Sequence, residues 1–332
     1  MTRMATSRAE VEYVAARSAV GLVDRRDHGV IEASGRDRVS FLNALLSNDV
    51  KSLAPGQGCA ATLLDVQGKV QVVLLVWVLD DRVLLVTPPG TGATTLEALD
   101  RYLFSEKVEL RDASGEWALF LLTGPEAPAL VARLGGAAPE PRPGAHAAGR
   151  LDAAEVRLVR GGGETGEAEI WIAAPAGEAE RVHKAVTAAG AVALGPEALE
   201  SLRIEAGAPR FPADIGPTTL LPEVPFDTLV SYTKGCYPGQ EVVVRIRDRG
   251  HVNRHLRGLL LEGEVVPPAG AEVVAGEAVI GAVTSATRSV GLGRPIALAM
   301  VRRQHAEPGT AVAVRVGDGV VPATVSALPF TR

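Results

Sequence analysis

Lys234-Gly235-Cys236-Tyr237-Pro238-Gly239-Gln240-Glu241 sets one of the chain's two cysteines between a lysine and an expected helix start. A cysteine reacts as the thiolate, and a nearby cation or helix N-terminus lowers the thiol pKa. Gly235 and Gly239 permit a tight bend and close approach of a ligand, while Tyr237 adds a flat ring and a hydroxyl. The stretch reads as a surface turn that presents a thiol. The competing reading of Cys236 is a small buried apolar side chain, the commonest state of a free cysteine. Cys59, set among Gly58, Ala60 and Ala61, reads as structural.

Upstream, Pro196 opens a helix that runs through Leu199, Leu202 and Ile204 to Glu205 and stops at Gly207. Pro209, Pro212, Pro217, Pro222 and Pro225 then impose a rigid, extended path that leads to the Cys236 turn. Glu205 stands in the last helical turn, where a carboxylate opposes the helix dipole. A ligand donor or a cation is its expected partner; the plain alternative is an ion pair with Arg203 or Arg210. Downstream, Arg245, Arg247, Arg249, His251, Arg254, His255 and Arg257 form a basic run opposed only by Asp248. It could hold an anionic ligand tail or an RNA phosphate. The plain alternative is a solvated strand with Val244, Ile246 and Val252 turned inward. From about Leu256 the chain becomes short β runs separated by Gly and Pro, the texture of a small antiparallel barrel or sandwich.

The N-terminal part mixes short helices and strands. A helix is expected over Glu10–Val20, a strand at Val30–Ala33, and a helix from Gly35 with Val39, Phe41, Leu42, Leu45 and Leu46 on one face. Leu63–Lys69 reads as strand, turn, strand, and Asp80-Asp81 as a hairpin turn. A looser version follows, with strands at Trp117–Leu122, Val156–Arg160 and Glu169–Ala173, helices at Glu126–Leu134 and Gly177–Ala189, and a surface loop over Gly135–Gly149. This order suggests split β-α-β units in an α+β arrangement.

The chain has 332 residues, 47% of them hydrophobic, and a formal charge of −5, which gives no global reason to expect nucleic acid. Cys59 and Cys236 lie 177 positions apart (236 − 59) and imply neither a disulfide framework nor a zinc site. Val70–Leu79, the longest apolar segment, is far short of the ~20 residues of a membrane helix, so a soluble, cytoplasmic protein without membrane partners is expected. The six scattered histidines form no metal pattern, and Gly161-Gly162-Gly163 lacks the context of a phosphate loop.

Lys234-Gly235-Cys236-Tyr237-x-Gly239-Gln240-Glu241 resembles the signature of the YgfZ family, the folate-binding relatives of the glycine-cleavage T-protein. The resemblance extends to Gly21-Leu22-Val23-Asp24 with the helix ending before Asn48-Asp49-Val50, to Thr165-Gly166-Glu167, to Leu202–Gly207, and to Gly281–Ser285 and Gly293–Ala299. It implies an α+β, GcvT/YgfZ-like cloverleaf of three modules around a central folate channel. Residues 1–254 would form two interleaved folate-binding modules and 255–332 an antiparallel β-barrel. It implies tetrahydrofolate as ligand and an accessory role in assembling or repairing iron–sulfur enzymes, including those that modify tRNA. Glu205, Tyr237 and Arg245 would contact the folate, with Cys236 and Lys234 as the reactive pair. One departure bears on activity. T-proteins follow the first-hairpin glycine with an acidic pair, whereas Gly68-Lys69-Val70 here leads into Gln71-Val72, neither of which can act as a carboxylate acid or base. A tetrahydrofolate-dependent aminomethyltransferase or demethylase is therefore the alternative, and an RNA-binding module a third.

Overall fold

Residues 7–330 are described by a computed structural model. Its strands are β1 (Gly21–Asp24), β2 (Gly29–Ser34), β3 (Gln57–Leu64), β4 (Val70–Val78), β5 (Arg82–Thr87), β6 (Glu109–Asp112), β7 (Trp117–Thr123), β8 (His146–Leu151) and β9 (Ala154–Arg160). They continue as β10 (Glu169–Pro175), β11 (Val192–Ala193), β12 (Arg254–Leu261), β13 (Glu272–Ala275), β14 (Ala278–Ser289), β15 (Arg294–Arg302), β16 (Ala311–Val316) and β17 (Gly319–Ser326). The helices are α1 (Arg8–Ser18), α2 (Arg38–Leu45), α3 (Gly92–Asp100), α4 (Ala127–Arg133), α5 (Ala179–Ala188), α6 (Pro196–Glu205) and α7 (Gln240–Arg249).

Three sheets result. One runs β11-β1-β7-β10-β9-β8, a second β3-β4-β5-β2-β6, and β12-β15-β14-β13-β16-β17 close into a barrel. The barrel pairings are all antiparallel. The fold is of mixed α/β content with a closed six-stranded antiparallel barrel at its C-terminal end. Each module has its own core because its strands alternate apolar residues toward one face. In β4, Val72, Leu74 and Val76 point into the core beneath α2 and α3. The intervening Val73 and Leu75 face the other way, toward the centre of the molecule. Proline at the start of α6 supplies a preset φ, and Gly207 ends the helix at φ +67.

α6 ties the modules together. Its buried Arg203 holds Asp214 at 2.9 Å, and Asp214 accepts a 2.5 Å bond from the Thr284 hydroxyl of β14. A buried ion pair of this kind tolerates no loss of either partner. The two N-terminal sheets meet where the His146 amide of β8 donates to the Gly56 carbonyl ahead of β3, at 2.8 Å.

Three expectations are corrected. The basic run is no single strand: Arg245, Arg247 and Arg249 ride on α7, and only from Arg254 does the chain become β12. The alternation of Val244 and Ile246 with Arg245 and Arg247 mimics strand periodicity, but the Gly239 bend starts a helix whose Val243 is fully buried. The loop expected over 135–149 ends early, because β8 begins at His146 and pairs along β9. The helix expected from Gly35 begins at Arg38, Gly35 being at φ +93.

Candidate functional site

Proline-imposed extension delivers the Lys234–Glu241 turn to the C-terminal end of α2. There the Lys234 ammonium donates to the carbonyl oxygens of Asn43 and Leu46, groups that a helix end leaves unpaired and electronegative. Its Nζ lies 4.9 Å from the centroid of the Tyr237 ring. Burial pushes the Lys234 amine down to about 8, against the opposing pull of Asp49 and of the Cys59 and Cys236 sulfurs. The Cys236 side chain is exposed, whereas Cys59 is half-buried and its thiol is pushed up to about 12, chiefly by burial. Tyr237 is buried, which pushes its phenol up to about 12, and its hydroxyl has no partner among the described residues. Lys234, Cys236 and Tyr237 thus come together as a unit, joined by Cys59 from β3.

The turn's backbone is specific. Gly239 sits at φ +78, and a Cβ there would fall 2.5 Å from the Asp65 carbonyl oxygen and 2.9 Å from Gly68 Cα. The β3–β4 hairpin tip therefore lies directly against the entry to α7. Just beyond the tip, Gln71 is the extra residue of a β-bulge, since Leu63 pairs with Val72 and Leu64 with Val70. It is exposed, while Val72 is buried in the module core.

A larger site lies at the centre. A cavity of about 490 Å³ is lined from β1 and its following turn, β4, β5, β10, α6 and the loop after α6. One wall is flat and aromatic. Trp171 of β10 meets the His28 ring edge-on at 5.6 Å, and Pro88, Pro89 and Phe211 continue the lining. The polar groups converge nearby. Arg25 pairs with Glu164 at 2.6 Å and lies 5.9 Å over Trp171. His28 Nδ1 lies 3.0 Å from Asp27 Oδ1. The buried Arg25 Nε and Thr87 Oγ1 have no protein partner among the described residues, an arrangement that ordinarily signals a missing ligand or water. Val73 and Phe211 of this cavity also belong to the apolar cluster that contains Tyr237, so cavity and turn share one packed wall.

Glu205 and Arg245 stand elsewhere. The Glu205 carboxylate is buried and accepts from Tyr13 Oη (2.6 Å), Arg17 (2.7 Å), Ser201 Oγ (3.0 Å), Ser289 Oγ (2.5 Å) and the Gly291 amide (3.2 Å). Burial raises its pKa, but the bonds from Ser289, Tyr13, Gly291 and Arg17 outweigh it and hold the carboxyl below its ordinary range. Its cation is Arg17 rather than Arg203 or Arg210, which both pair with Glu200. It borders a smaller cavity of about 330 Å³ with Arg17, Gly163 and Phe330. Arg245 opens onto a separate surface groove with Arg249 and His251. The Arg25–Asp27–His28 group was missed in the sequence, although a charged Asp24–His28 run in a short turn between two apolar strands was a signal in plain view. No set of three metal-ligating side chains occurs among the described residues, and no described helix is long and apolar enough to cross a membrane.

Comparison with known proteins agrees with this architecture. Residues 2–234 match the GCVT N-terminal domain and residues 254–331 the glycine cleavage T-protein C-terminal barrel domain. The chain is 33% identical over 331 residues to an aminomethyltransferase of Streptomyces avermitilis, covering 97% of this chain and 89% of that protein. It is 32% identical over 343 residues to a probable aminomethyltransferase of Halobacterium salinarum, covering 97% and 90%. The crystal structure of the glycine cleavage system aminomethyltransferase T from Bartonella henselae superposes with a TM-score of 0.88 at 25% identity, covering 97% of this chain and 89% of that one.

Proposed function

The chain belongs to the glycine-cleavage T-protein family, and from that premise we propose that it is a tetrahydrofolate-dependent one-carbon transferase of the aminomethyltransferase type, with its ligand in the central cavity. Proteins of this family bind tetrahydrofolate. The observation that carries the proposal here is the cavity itself. Its volume lies within the range of small-molecule sites, its Trp171–His28–Phe211 wall suits a flat pterin, and the unpartnered Arg25 Nε suits an anionic tail. Trp171, His28 and Phe211 would hold the ring system, with Thr87 and Arg25 supplying hydrogen bonds. When bound, the folate supplies the nitrogen that accepts the one-carbon unit.

Titration calorimetry with tetrahydrofolate tests the binding. The wild type binds, and Arg25→Met weakens binding about 10- to 100-fold, the worth of one charged hydrogen bond. No binding by the wild type removes the reading. Formation of methylene-tetrahydrofolate from a lipoyl-bound aminomethyl donor tests the transfer. Because Gln71 and Val72 carry no carboxylate, any proton transfer depends on another group.

A second reading, an accessory role for iron–sulfur enzymes including those that modify tRNA, is favoured by the exposed Cys236 thiol beside Lys234. Its measurement is the activity of such enzymes in cells that lack this protein, restored by wild type or by Cys236→Ser. Equal restoration by the two would discard a role for the thiol.

A further inference from the structure

We propose that His28, oriented by Asp27, is the proton-transfer residue of the central cavity, filling the place left by Gln71 and Val72. The inference rests on the folate-dependent reading above and names the group that would serve its chemistry. His28 lines the cavity, and its single hydrogen bond among the described residues joins Nδ1 to Asp27 at 3.0 Å. A carboxylate at that distance from Nδ1 takes the N–H and leaves Nε2 with a lone pair, the arrangement in which a histidine serves as general base. The imidazole edge rests on the Trp171 ring at 5.6 Å, which fixes its plane, and its side chain is 13% exposed.

Gln71 is the exposed bulge residue of β4, between buried Val70 and Val72, and the β4 residues that line this cavity are Val73, Leu74 and Leu75, so the strand brings no titratable group to it. The groups that face His28 are Arg25 and Asp27 from its own turn and Glu164 from the loop before β10. The other neighbours, Trp171 of β10 and Thr87 with Pro88 at the end of β5, carry no charge. Burial and then Arg25 hold the imidazole below its ordinary pKa, with Asp27 and Glu164 opposing. The ring is therefore neutral near pH 7 and able to accept. In the step, the ligand nitrogen's lone pair bonds to the one-carbon unit as that carbon's bond to its leaving group breaks with the pair on the leaving group; the now acidic ligand N–H then breaks and its electron pair stays on the ligand nitrogen. The proton forms a new N–H bond at Nε2, and Asp27 balances the imidazolium.

The ligand-free protein offers the first test. The ¹⁵N resonances of His28 should show Nδ1 protonated and Nε2 bare, and Nε2 protonated with Nδ1 bare would overturn the assignment whatever the protein binds. The second test compares wild type, His28→Gln and Asp27→Asn, each checked for native near-UV circular dichroism. His28→Gln should slow single-turnover methylene-tetrahydrofolate formation at saturating tetrahydrofolate by on the order of 10²–10⁴-fold, well beyond any change in tetrahydrofolate affinity, and it should abolish the acid-side fall in rate, which lies below the ordinary histidine range. Asp27→Asn should slow the same step and move that limb. A His28→Gln rate equal to wild type with the acid limb intact sinks the proposal. So does a loss of rate matched by an equal loss of affinity, which makes His28 a wall residue. Failure of the wild type to bind tetrahydrofolate counts against the folate reading, and His28 is then judged on its tautomer alone.

Discussion

Single side chains here take their chemistry from what surrounds them. Lys234 is one of five lysines, and its pKa falls to about 8 because its ammonium is withdrawn from water. Near pH 8 a substantial fraction is free amine. Acylation with a small anhydride, followed by peptide mapping, should show Lys234 modified with a midpoint near 8; a Lys234 midpoint at the ordinary lysine value of about 10.4 would refute this. Glu205 makes the opposite case. Arg17→Met breaks the ion pair to its buried carboxylate and should cost about 3–5 kcal/mol by urea unfolding. The depressed carboxyl pKa means that this contribution is present above the ordinary carboxylate range and is lost as pH falls through the folded value.

Among the elements, α7 and the β3–β4 hairpin depend on each other. Gly239 turns the chain into α7 with a left-handed φ and touches the hairpin tip at Asp65 and Gly68. Gly239→Ala meets both a strained backbone and carbonyl contact, so it should cost at least about 1–3 kcal/mol and displace the Lys234–Tyr237 turn. The check is the denaturation midpoint together with the Lys234 acylation midpoint, which should rise as the amine regains water. The signature stretch is therefore as much a joint between two elements as a presentation of a thiol. Arg247, stacked 4.0 Å over Tyr232, pins the other end of the same joint.

Across the whole molecule, a few contacts hold the modules together. The C-terminal segment returns from the barrel so that the Phe330 amide donates to the Glu205 carbonyl at 2.9 Å, and the ring covers Gly258. Phe330→Ala removes a buried ring and should cost about 3–5 kcal/mol, read from the thermal midpoint. His146 joins the two N-terminal sheets: its Nε2 lies 3.2 Å from the Gln57 carbonyl, and Arg157 lies beside Nδ1. Burial, then Arg157, holds its pKa down to about 4. The unfolded chain binds the proton more readily, so stability should fall as pH drops from about 6.5 toward 4. His146→Gln should flatten that part of the urea-midpoint profile, and an unchanged slope would contradict the assignment.

Much of this was legible in order. Proline at 196 and glycine at 207 bounded α6 to the residue, because helix ends are set by local φ preferences. The Gly-and-Pro-punctuated β runs after Leu256 announced the barrel, because strand alternation is local too. The resemblance led to the broad T-protein family, which the matched domains bear out. Where two local patterns coincided, as in the valine–arginine alternation of α7, sequence alone could not choose, and burial of Val243 against the body decided. The central cavity was decided only by tertiary structure. Arg25, Asp27 and His28 lie in one short turn, but Glu164, Trp171 and Phe211 reach them from positions more than a hundred residues away, and only packing of separate sheets brings them together. By itself the sequence determined the bounds of α6, the β texture of the C-terminal region and the broad family. Which carboxylate is saturated by protein donors, which cationic nitrogen is left without a partner and which histidine faces a ligand are properties of desolvation and distance, and those exist only after folding.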